Sequence, residues 1–117
     1  MIRSDTVMMK LDSEKFNQLL NERIKKIQDI LGNKAKEYSC HHDRLHNFRI
    51  ASNMIDDTMA KALWGMALKH LVSVDDIVNK RLDWSNKELV DEKIGDMINY
   101  LILLEAVIEE WRINNAM

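Results

Sequence analysis

Apolar residues recur every three or four positions through most of this chain, and that spacing predicts helices. Phe16, Leu19, Leu20, Ile24, Ile27, Ile30 and Leu31 form one stripe, over a helix from about Glu14 to Leu31 that Gly32-Asn33 ends. Asp43 suits the N-cap of a second helix through about Met54, with Leu45, Phe48, Ala51 and Met54 for packing. Asp56-Asp57 caps a third from Thr58 to Leu71, with Met59, Leu63, Met66 and His70 along one face. Ser73 and Asp76 resemble a capping box for a short helix to about Lys80, and Ser85-x-x-Glu88 is a full box for a last helix to about Trp111. In that last helix Val90, Ile94, Met97, Leu101, Leu104, Ile108 and Trp111 alternate spacings of four and three, a heptad seam.

The expectation is an all-α, compact bundle of four to five helices. Residues 1–12 read as an irregular arm and residues 13–117 as a single helical domain. Residues 34–42 are polar and read as a connection. With no proline and three glycines, the chain also lacks the Asn-Gly and Asp-Gly punctuation of hairpins.

Composition narrows the functional classes. Hydrophobic residues at 46% with 31% charged suit a folded domain rather than a disordered tail. A net charge of −2 argues against direct nucleic-acid binding. One cysteine, Cys40, excludes an internal disulfide framework and fits a reducing, cytoplasmic setting. The first dozen residues hold no signal-peptide core, and the longest apolar run, Tyr100 to Leu104, is too short to span a bilayer. No membrane partner is expected.

Candidate chemistry concentrates in two clusters. Glu92 and Asp96, one helical turn apart and about 5–6 Å between Cβ atoms, lie on a face that continues into Leu103 and Val107. Carboxylates on a face that turns into core are expected to be half-buried and to need a metal or a cation. Mg²⁺ takes such oxygen ligands and completes its shell with water and phosphate, so Glu92 and Asp96 are the catalytic candidates. Acid pairs at this spacing are also common on solvated faces, and Glu88 is explained by its capping box. Asp43, His46 and Asn47 form the second cluster, on a face that runs on into Ile50, Ala51 and Met54. Taken alone, Asp43 is better explained as a helix N-cap; the parallel layout of the two helices is what makes it a third metal candidate. His41, His42 and Cys40 lack a second pair at zinc spacing. Lys69-His70, with Arg44 and Arg49, offers phosphate contacts; His70 also fits a satisfied residue at the end of its helix. No phosphate loop, nucleophile elbow or Ser/His/Asp set is present. A nucleotide would therefore be held by side chains from helices.

The run Glu92-Lys-Ile-Gly-Asp96-Met-Ile-Asn99-Tyr100 resembles the second acidic motif of MazG-like, all-α nucleoside triphosphate pyrophosphohydrolases. Asp43-Arg-Leu-His-Asn47-Phe48 and Lys69-His70 resemble a phage and prophage nucleotide modification associated domain related to that fold. The resemblance covers about residues 34–110. It implies a MazG-like bundle, a homo-oligomer, Mg²⁺ at Asp43, Glu92 and Asp96, and ligand contacts from Arg44, His46, Asn47, Lys69, His70, Asn99 and Tyr100. It implies release of pyrophosphate from a nucleotide, in a phage- or prophage-encoded protein of a bacterial cytoplasm. The family's first motif, Glu-Glu-x-x-Glu, is absent here, and Lys93 stands where the second motif has a glutamate. Two other functions stay open: a non-hydrolytic binder that sequesters a signalling nucleotide or serves DNA base modification, and a purely structural, oligomerising helical protein.

Overall fold

A computed structural model describes residues 9–33 and 43–116, and every regular element among them is helical. α1 spans Ser13–Ile27 and widens into a π-helical segment, Gln28–Asn33. α2 is His46–Ile55, α3 Met59–Val78 and α4 Lys87–Asn114. The all-α expectation is borne out. Cys40, His41 and His42 lie outside the described residues.

Local chemistry explains most of the boundaries. Asp12 caps α1 by accepting from the Lys15 N–H at 2.8 Å, and Lys25 and Lys26 oppose the dipole in its last turn. Thr58 caps α3 by accepting from the Lys61 N–H at 3.2 Å. Asp56 ends α2 in the left-handed region, φ 52°, which the short polar side chain of Asp tolerates.

Four capping expectations are corrected. Asp56 and Asp57 do not cap α3: Asp56 is the C-cap of α2, and Asp57 only accepts from the N–H of Thr58, which holds the N-cap position. Ser73 opens no helix: its hydroxyl donates to the Lys69 carbonyl at 3.1 Å, and α3 runs unbroken for 20 residues. The apolar face that buries Leu63 and Ala67 continues to the buried Ile77, so packing carries the helix through the cap signal. Asn86, not Ser85, caps α4, accepting from the Leu89 N–H at 3.3 Å while the Ser85 hydroxyl donates to Asp83 at 2.8 Å. Asp43 precedes α2 as the start of a tight turn, in which its carbonyl accepts from the His46 N–H at 3.2 Å, and Leu45 holds the cap position with no side-chain bond.

α3 and α4 form an antiparallel hairpin. Leu63, the most buried large side chain at 1% exposed, clusters with Val107 of α4, with Phe48 of α2 and with Leu45 at the cap of α2. Met59, Tyr100, Leu103 and Leu104 pack around them. α1 buries no residue and meets α4 through its second half. There the Arg23 Nη2 donates to the Asp91 carbonyl at 3.0 Å, and its guanidinium lies over Gly95, where a Cβ would collide with it. The whole measures 61 × 30 × 28 Å. No helix among the described residues is long and apolar enough to cross a membrane.

Candidate functional site

A cleft of about 570 Å³ opens between the π-helical end of α1, the entry to α2 and the middle of α4. α4 contributes Asp96, Asn99, Tyr100 and Leu103, residues three or four apart that share its inner face. The α2 side contributes Arg44, Asn47 and Phe48, and α1 closes the cleft with Ile30 and Leu31. Arg44 joins two of these walls, since its Nη1 donates to the Leu31 carbonyl at 2.6 Å, one of the acceptors a helix end leaves without an intrahelical donor.

Asn99 gives the cleft its character. It is 7% exposed, and its Oδ1 has no hydrogen-bond partner among the described residues. Nearly all buried polar atoms in folded proteins are paired with protein or with water, so this acceptor beside an open cleft is available to a donor that enters the cleft. Next to it Tyr100 packs edge-on to Phe48, with ring centroids 6.2 Å apart, and against His70 of α3 at 4.9 Å. The His70 Nδ1 stands 3.6 Å from the Asp96 Oδ2. Burial and the Asp96 charge raise the Tyr100 phenol above its ordinary value, so it stays a neutral donor.

The chain matches no protein-family model, no curated protein and no solved structure.

Of the residues singled out in the sequence, Arg44, Asn47, Asp96, Asn99 and Tyr100 line one cleft, and His70 touches two of them. Lys69 is exposed on α3 and His46 opens α2 half-buried; neither lines this cleft. Glu92 is exposed rather than half-buried. It lines a second, smaller cleft of about 300 Å³ with Glu88, Asp91 and Asp96, across from Arg23 and Lys26 of α1. Ile30 and Asp96 border both clefts.

The carboxylate set expected around Mg²⁺ does not assemble. Both oxygens of Asp43 face Arg49, Oδ2 accepting from Nε at 2.8 Å and Oδ1 from Nη2 at 3.0 Å, and Oδ1 also accepts from the Leu45 N–H at 3.0 Å. Arg49 in turn bridges to Glu110, with Nη2 2.9 Å from Oε1 and Nη1 3.1 Å from Oε2. The guanidinium holds the Asp43 carboxyl below its usual range, and the two carboxylates raise Arg49 above its own. Asp43 is thus the partner of an arginine and lines neither the cleft of Asp96 nor that of Glu92. No three His, Cys, Asp or Glu residues among those described are grouped to hold a metal ion.

Sequence reading missed Arg49 in this role, because the bridge joins residues 61 positions apart and leaves no local signature. It also missed Asp91, whose carboxylate pairs with Lys87 and lies 3.6 Å from the Lys26 Nζ. Those contacts hold its carboxyl below the usual range, led by the bond from Lys87.

Proposed function

We propose that this protein binds a nucleotide in the cleft between α1, α2 and α4 and holds it intact. The observation that carries the reading is the buried, unpartnered Oδ1 of Asn99. A nucleobase offers ring N–H and amino donors that would complete it. Arg44 at the rim supplies a guanidinium suited to phosphate, and Tyr100 and Phe48 supply aromatic surface for the base. About 570 Å³ falls within the range of small-molecule sites. The resemblance of the Glu92–Tyr100 run to a nucleotide-hydrolysing motif points the same way. The Arg49 pair at Asp43 favours retention of the ligand over its cleavage at a three-carboxylate metal centre.

One observation favours a second reading, Mg²⁺-dependent release of pyrophosphate. Glu92 and Asp96 share the adjoining cleft, so a phosphate chain leaving the first cleft past Asp96 would arrive beside Glu92. Mg²⁺ is commonly held by one or two carboxylates together with substrate phosphates.

A thermal-shift screen of linear, cyclic and ADP-ribose-type nucleotides, with and without Mg²⁺, decides between them when each hit is assayed for pyrophosphate. A ligand at 100 times its Kd adds about 2.7 kcal/mol of stability. We expect a hit that stays intact and whose shift disappears in Arg44→Ala. Turnover abolished by Asp96→Asn would establish the second reading. A flat screen would refute both.

A further inference from the structure

The wall that α4 gives to the nucleotide cleft presents acceptors. Asp96 and Asn99 both line it, three residues apart on one helix face and about 5–6 Å between Cβ atoms. An ionised carboxylate accepts at two oxygens, with about four lone-pair sites, and donates nothing. The His70 Nδ1, 3.6 Å from the Asp96 Oδ2, is beyond hydrogen-bond length and does not fill those sites. The Asn99 side chain is 7% exposed, and its Oδ1, a carbonyl oxygen that also only accepts, has no partner among the described residues. Phe48, Ile102 and Leu103, which line the cleft as well, are hydrocarbon and bring it no donor.

A ligand edge set against this pair must carry donors side by side, because an acceptor placed there would meet a lone pair. The common bases differ on this point. Adenine and cytosine hold an amino donor next to a ring nitrogen that accepts. Uracil and thymine hold a single ring N–H between two carbonyls. Guanine holds the N1–H next to the N2 amino group, two donors in a row on one edge. A carboxylate takes two parallel N–H bonds from such an edge, as it does from the fork of an arginine. The outer hydrogen of the amino group is then left for a carbonyl oxygen one helical turn away.

We infer that the cleft selects guanine, Asp96 accepting from N1–H and the N2 amino group and the Asn99 Oδ1 accepting the second amino hydrogen. The inference rests on the reading that the cleft binds a nucleotide intact, and it adds which nucleotide. It also gives Asp96 the work of reading the base, with Arg44 left for the phosphate. From Asp96 to Ala106 the cleft follows α4 for ten residues, about 15 Å, so ribose and phosphate have room beyond the base. Rejection of the other bases comes from the groups they leave unpaired. Adenine would satisfy one acceptor and turn the lone pair of its N1 on the other, and a wrong partner is excluded by such a mismatch as much as the right one is held by its bonds.

The test is calorimetric titration of the full chain, without Mg²⁺, with the 5′-monophosphates of guanosine, inosine, adenosine, cytidine, uridine and xanthosine. A monophosphate has no pyrophosphate to lose, so the result reads binding alone. Guanosine monophosphate should bind most tightly. Inosine monophosphate differs from it only by lacking the N2 amino group, and should bind about 10- to 100-fold more weakly, the effect of losing bonds to a buried or charged acceptor. Asp96→Asn keeps the shape of the side chain and puts a donor in place of one oxygen. It should lose guanosine monophosphate and gain xanthosine monophosphate, whose C2 carbonyl stands where guanine has its amino group. Equal affinity for guanosine and inosine monophosphates, or tighter binding of another base by the unmodified chain, would overturn the inference and leave the nucleotide cleft standing. So would an Asp96→Asn variant that still prefers guanosine monophosphate. Binding of none of the six would bring down the nucleotide reading itself, and this inference with it.

Discussion

Replacing Asn99 with leucine sets stability against binding in one residue. In the folded chain Asn99 is 7% exposed and its Oδ1 has no partner among the described residues. An acceptor buried without a donor costs roughly 1–3 kcal/mol, the desolvation it never recovers. Leucine has the same branched shape and no polar atom, and the cleft beside it already contains Phe48 and Leu103. Asn99→Leu should therefore stabilise the unliganded protein by about 1–2 kcal/mol. For a chain of this length that corresponds to roughly 3–8 °C in Tm. Urea unfolding at one fixed protein concentration, with an unchanged m-value, measures it directly. The same variant should lose the nucleotide-induced rise in Tm. A loss of stability greater than about 1 kcal/mol would mean that Oδ1 is satisfied in solution, and the reasoning that the cleft awaits a donor would fail.

The remaining expectations concern the frame around the cleft. Arg49→Met breaks the Asp43–Arg49–Glu110 bridge and should cost about 1 kcal/mol at neutral pH, a discounted figure because these side chains are 30–41% exposed. The folded Asp43 carboxyl lies below its ordinary 3.8, so its contribution is present above that value and disappears as pH falls through the folded pKa. Acid unfolding of Arg49→Met below about pH 4 should accordingly be shallower than that of the unmodified chain. Leu63→Ala empties the centre of the core and should cost about 2–5 kcal/mol in urea unfolding; a cost under about 1 would refute Leu63 as the centre of packing. Gly65 sits inside α3 with nothing within 4 Å of a Cβ built there. Gly65→Ala should raise stability by about 0.5–1 kcal/mol, visible as a higher Tm, and a decrease would mean that something covers this position in solution.

Much of the cleft was legible before any coordinates. Asn47 and Asp96 stand out because their helical faces run on into apolar residues, and such faces must point at neighbours; Asn99 and Tyr100 enter only through the family resemblance. What the periodicity left open was which neighbour. Glu92 lies one turn before Asp96, yet it is exposed because α1 meets α4 there mainly through Arg23 and Lys26. Asp43 carried the local marks of an N-cap or a ligand, and the structure gives it to Arg49.

The sequence by itself determined the helical class, which positions form apolar stripes and several of the ends, because propensity, capping and periodicity act within one or two turns. The tertiary structure alone decided that Ser73 lies inside a helix, that Arg49 joins Asp43 to Glu110, that Asn99 is buried with its Oδ1 unpaired among the described residues and that the seam of α4 faces away from its own core. Each of these depends on what surrounds a side chain, and those surroundings come from residues tens of positions away whose packing energy outweighs the local preference.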